Sequence, residues 1–105
     1  MISRLYVNED NDIVLDGLKK SVADTYVNDA TVTFQVTDSA GTVMVSPTAM
    51  SYIADSDGKY WGVIDKADAA SFADGTSYSV ECTVTSGTFD GYRKVILKAQ
   101  YHGAV

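Results

Sequence analysis

The sequence predicts an all-β fold, an antiparallel β-sandwich of seven or eight short strands with one short helical turn near residues 66–72. Three observations lead there. Thirteen Val, ten Thr and seven Tyr beside a single Pro make a composition of branched and aromatic side chains, which fit a pleated, half-buried surface. Two segments alternate apolar and polar residues at period two, the mark of a strand with one buried face. Turn chemistry recurs between the apolar runs at a spacing of about ten residues. With 105 residues, 46% of them apolar, the chain fits a single domain, 1–105, with a core of its own.

At the amino terminus, Ile2 to Val7 and Asp12 to Asp16 read as two short strands around a polar loop, and Gly17 to Asn28 as a connection. Ala30 to Asp38 is the first clean strand, with Ala30, Val32, Phe34 and Val36 on the buried face. Asp38-Ser39-Ala40-Gly41 supplies a hairpin turn that returns the chain through Thr42 to Val45. Pro47 should break that strand, and Ala49 to Ala54 resumes an extended pattern. Asp55-Ser56-Asp57-Gly58 is the strongest turn signal, and Lys59 to Asp65 pairs back. Asp65 is placed to cap a helical turn over Lys66 to Phe72, with Asp68 favouring its positive end. Ser77 to Thr85 is the second clean strand, with Tyr78, Val80, Cys82 and Val84 inward. Ser86 to Gly91 forms a loop. Tyr92 to Tyr101 closes the domain with Val95, Leu97 and Ala99 on one face.

Fourteen acids against eight bases give a net charge of −6, which argues against binding nucleic acid or an anionic membrane. The first residues turn acidic where a secretory leader stays apolar, and no run approaches the roughly 20 apolar residues a membrane-crossing helix needs. Cys82 is the lone cysteine, a small core residue consistent with synthesis in a reducing cytoplasm.

Phe72-Ala73-Asp74-Gly75-Thr76-Ser77-Tyr78-Ser79-Val80 resembles the pattern that opens the penultimate strand of fibronectin type III and related immunoglobulin-like domains. The resemblance implies an immunoglobulin-like sandwich in which Tyr78 forms a corner, its hydroxyl bonded to backbone just upstream and its ring in the core. Trp61 departs from the pattern, and there is no cystine pair. Across its length the chain also resembles the small immunoglobulin-like structural proteins of tailed bacteriophages, in Leu5-Tyr6-Val7, Asn28-Asp29-Ala30-Thr31-Val32-Thr33, Asp38-Ser39-Ala40-Gly41 and Asp57-Gly58-Lys59-Tyr60-Trp61-Gly62. That likeness implies a non-enzymatic virion protein, made in the host bacterial cytoplasm and binding other virion subunits in head decoration or at a head–tail junction.

No catalytic constellation is legible. His102 is the only histidine and reads as a solvated tail residue, with no nucleophile-elbow Ser and no Cys nearby to complete a triad. One His and one Cys are too few soft ligands for zinc, and no Gly-rich phosphate loop is present. Asn8-Glu9-Asp10-Asn11-Asp12 and Asp55-Ser56-Asp57-Gly58 are weighed as calcium loops. Neither converges the roughly six to eight oxygens calcium requires, so both read as turns. Asp65 and Asp68 form a carboxylate pair without a pocket. The expectation is therefore no catalytic residue, no cofactor and no metal.

The informative anomaly is Lys59 to Ile64, where Tyr60 and Ile64 point one way and Trp61 and Val63 the other, so both faces carry apolar bulk. Ile96 repeats the excess opposite Val95 and Leu97. Either a neighbouring loop or the amino-terminal strand covers these groups, or Trp61, Tyr60 or Ile96 anchors a protein–protein contact. Charge adds an asymmetry: residues 1–90 carry net −9, whereas residues 91–105 hold Arg93, Lys94 and Lys98 and no acid. A basic last strand either guards a sheet edge or meets the acidic loops of another copy in a ring or shell. A different class, a carbohydrate-binding or adhesion module, would stack sugar on exposed Tyr60 and Trp61.

Overall fold

Alternation at period two becomes strand over most of the chain. The computed structural model describes residues 5–19, 25–87 and 90–101. Their elements are β1 (Leu5–Tyr6), β2 (Asn11–Leu15), β3 (Thr31–Thr37), β4 (Val43–Tyr52), β5 (Tyr60–Ile64), α1 (Lys66–Ala69), β6 (Ser77–Thr85) and β7 (Asp90–Gln100). Residues 2–4 of the expected first strand, 20–24 of the connection, 88–89 of the last loop and His102 lie outside the described residues.

The seven strands bond in the order β1-β7-β6-β3-β4-β5-β2. The all-β class and the helical turn agree with the sequence reading, whereas one parallel pair corrects the expected antiparallel pairing. The strands form one mixed sheet that curls until it is nearly closed, with β1 parallel to β7. Strand β4 makes the sheet continuous: Val43–Met50 faces β3, and Ser51 and Tyr52 then pair with Trp61 and Tyr60 of β5.

Pro47, expected to end a strand, lies inside β4. Phe34 pairs with Thr48 and Val36 with Val45, so Ser46 and Pro47 together oppose the single residue Gln35. Such a bulge leaves one residue out of the ladder, which accommodates a residue with no N–H to donate. A second register shift follows between Val36 and Thr37.

The two halves of the curled sheet press their apolar faces together. Val32, Phe34, Val36, Val80, Val84 and Leu97 from one half meet Ile13, Leu15, Tyr60 and Ile64 from the other in one buried cluster. Gly62 permits the closest approach, since a Cβ there would stand 2.9 Å from Phe34 Cε1 and 3.2 Å from Met50 Cγ. The Phe34 ring therefore lies on the backbone of β5.

Polar groups inside this core find partners, as burial requires. The Tyr60 hydroxyl donates to the Val27 carbonyl at 2.7 Å and accepts the Ala30 N–H at 3.2 Å. The Tyr78 hydroxyl accepts the Ala73 N–H at 2.7 Å, and its ring packs on Phe72 with centroids 4.9 Å apart. Asn11, only 3% exposed, joins the two end strands. Its Oδ1 accepts the Tyr6 N–H at 2.7 Å, and its Nδ2 donates to the Tyr6 carbonyl at 2.9 Å and the Glu9 carbonyl at 3.0 Å.

The helical turn is shorter than expected and capped differently. Asp65 has the extended backbone of an N-cap but makes no side-chain cap bond. Asp10, 56 residues earlier in the chain, accepts the Lys66 N–H on its Oδ1 at 2.7 Å. After Ala69 the chain continues in turns to Phe72.

Candidate functional site

Because alternate residues of a strand face opposite ways, filling the interior commits the intervening residues to the two outward faces. On the long half, cross-strand pairing sets Ile96 of β7, Ser79 of β6, Thr37 of β3 and Val43 of β4 in a single row. Ile96 is 67% exposed and Val43 50%. The next row carries Lys94, Glu81 and Gln35. Gln35 Nε2 donates to Glu81 Oε2 at 2.8 Å, and Lys94 Nζ lies 4.0 Å from Glu81 Oε1.

Between β7 and the β3–β4 turn these rows border an open depression of about 490 Å³, lined by Ile96, Ser79, Thr37, Lys94, Glu81 and Asp38. Its acids are engaged: Glu81 as above, and Asp38, whose Oδ1 accepts the N–H groups of Ala40 and Thr42 at 2.9 Å each. The surface can offer apolar contact, hydroxyls and a lysine to a partner.

Lys98 faces outward two residues beyond Ile96 and is exposed. Arg93 is exposed as well, and its Nη1 donates to the Tyr92 carbonyl at 2.9 Å. Strand β1 meets β7 only at Ala99 and Gln100, so among the described residues the rest of that flank of β7 has no strand partner.

On the short half, Trp61 is 43% exposed. It stands between Val14 of β2 and Ser51 of β4, and its Nε1 donates to Asp12 Oδ1 at 3.2 Å. Tyr60 corrects an expectation: at 0% exposure it belongs to the interior and cannot be a surface anchor. The paired Tyr60–Trp61 sugar platform is lost with it. Of the two adjacent aromatics one faces the core and the other the outside, as neighbours on a strand must.

Sequence reasoning missed Val43. Val43 and Val45 share a phase in the sequence, yet Val45 is buried and Val43 exposed. The register shift between them reverses the phase, and nothing local announces it. Tyr92 and Ile53, also exposed, were legible only as members of their strands.

The acidic stretches serve the fold. Asp10 caps α1, Asn11 joins β1 to β2 and Asp12 holds the indole. In the second stretch Asn28 Oδ1 accepts the Gly58 N–H at 2.8 Å. No group of three or more His, Cys, Asp or Glu side chains is placed to hold a metal among the described residues. Burial pushes the Cys82 thiol up to about 11, which disfavours the reactive thiolate. No described helix is long and apolar enough to cross a membrane.

Comparison with known proteins finds no family model that matches the chain, and no match among curated proteins or solved structures.

Proposed function

We propose that the chain is a non-enzymatic, immunoglobulin-like structural protein of a tailed bacteriophage virion that binds other virion subunits, in head decoration or at the head–tail junction. The observation that carries the binding role is the row Ile96–Ser79–Thr37–Val43, in which Thr37 is buried and the two ends are exposed branched side chains, on a face that also carries hydroxyls, Gln35, Tyr92 and charges. An exposed apolar group rimmed by polar ones is the composition of a contact surface.

The immunoglobulin-like reading is supported by three features. Strands β7, β6 and β3 are neighbours in the order of the three-strand sheet of such domains, and β2, β5 and the end of β4 in the order of the opposing sheet. The Tyr78 hydroxyl meets backbone five residues upstream, the corner the resemblance implied. The Phe34–Gly62 contact packs one half on the other. The virion assignment rests on the quoted likeness to phage proteins, several of whose segments serve the turns and strands described above.

Mass spectrometry and immunogold labelling of purified tailed particles test the proposal. It requires the chain in many copies per particle, at the head or the neck. Absence from the particles, with binding to immobilised glycans that Trp61→Ala abolishes, would replace it with the carbohydrate-binding reading.

A further inference from the structure

The two outward faces are unlike in charge. Around Ile96, Lys94 and Lys98 of β7 stand beside Glu81, which Gln35 and Lys94 engage, and Asp38, whose Oδ1 takes two backbone N–H groups, so that rim is of mixed charge. Around Trp61 the rim is acidic. Asp12 lies on β2 beside the indole, Asp16 follows that strand, and Asp55 and Asp57 occupy the turn that leads into β5, with Lys59 the base among them. The inner faces of the two halves touch at Phe34 and Gly62, so the outer faces point away from each other.

We infer that copies of this chain associate head to tail, the Trp61 face of one seated in the Ile96 depression of the next. The inference rests on the binding role proposed above and names its partner as a second copy. Tryptophan is the residue type most often found anchoring an interface, and the depression beside Ile96 supplies a concave, partly apolar seat for an indole. The acids around Trp61 repel a second Trp61 face and find Lys94 and Lys98 beside the depression, which favours the meeting of unlike faces. Since the contact joins two different surfaces, each copy keeps one free face. Such a contact propagates until it closes as a ring or continues as a stack.

Sedimentation velocity over a concentration series tests this. The sedimentation coefficient is expected to rise with protein concentration and to fall back when salt screens the rims. Trp61→Glu and Ile96→Glu should each sediment as a monomer. Their equimolar mixture should give a dimer and nothing larger, because one intact face of each kind remains.

The same logic runs by charge at exposed sites, with Lys94→Glu/Lys98→Glu mixed against Asp16→Lys, should either first variant fail to fold. A parent chain that stays monomeric at every concentration overturns the inference, as does a single-face variant that still dimerises alone or a mixture that stays monomeric. A monomeric chain found on tailed particles would sink self-docking and leave the virion role standing. A self-assembling chain absent from particles would do the reverse.

Discussion

The side-chain amide of Asn11 meets the backbone of Tyr6 as a neighbouring strand would, accepting its N–H and donating to its carbonyl. Tyr6 ends β1 and Asn11 begins β2, the two extremes of the sheet order, so one side chain joins the sheet's first strand to its last. Replacing it with Ala removes both bonds to Tyr6 and the one to the Glu9 carbonyl, which costs about 2–4 kcal/mol at roughly 1 kcal/mol per bond. Urea unfolding of Asn11→Ala measures the loss. Asn11→Asp is sharper, because a carboxylate would face the Tyr6 and Glu9 carbonyls and its folded pKa would rise. That variant should be weakened at neutral pH and recover part of the loss as pH falls from its raised folded pKa to about 4, where the acid can donate again.

Tyr78→Phe removes the acceptor of the Ala73 N–H while keeping the ring against Phe72. A loss of about 1–3 kcal/mol in unfolding free energy is expected, read by urea titration.

Gly58 and Gly41 both hold positive φ, at +67° and +87°. Gly41→Ala meets nothing within 4 Å and should cost about 1 kcal/mol, the price of a left-handed Cβ. Gly58→Ala would put its Cβ 2.5 Å from the Leu18 carbonyl oxygen, so the loss should reach about 3 kcal/mol or more. Equal losses in thermal unfolding would mean that the 53–59 turn does not pack on Leu18.

Alkali should weaken the fold through two buried acids, a thiol and a phenol. Burial raises the Cys82 thiol from 9.0 to about 11 and raises the Tyr60 hydroxyl above 10.0. Both are neutral in the folded chain at a pH where the unfolded chain has begun to ionise. Their contribution is full below pH 9.0 and declines toward pH 11. Urea midpoints across that window should fall, and Cys82→Ala should flatten the earlier part of the fall. Native Cys82 should resist a thiol reagent that labels it at once in urea.

Much of the fold was legible because it is written at short range. The alternation in Ser77–Thr85 gave β6 its bounds and its four inward residues, and the Tyr78 motif implied a bond only five residues long. What escaped depends on partners distant in sequence. Pro47 sits mid-strand because β3 tolerates a bulge opposite Gln35. Asp10 rather than Asp65 serves the helix because the loop after β1 folds over it. For the candidate surface, the sequence located Trp61 and Ile96, but it could not decide between Tyr60 and Trp61. The choice is made by Val27 and Ala30, which receive the Tyr60 hydroxyl inside.

Trp61 is the only tryptophan, so its fluorescence reports directly on the claim that the interior holds the fold while the outward faces bind. Emission and acrylamide quenching should be those of a half-exposed indole in the dilute chain. As concentration rises, emission should move to the blue and quenching should weaken, with both changes absent in Ile96→Glu. A spectrum and quenching constant that stay fixed as the chain associates would contradict the account.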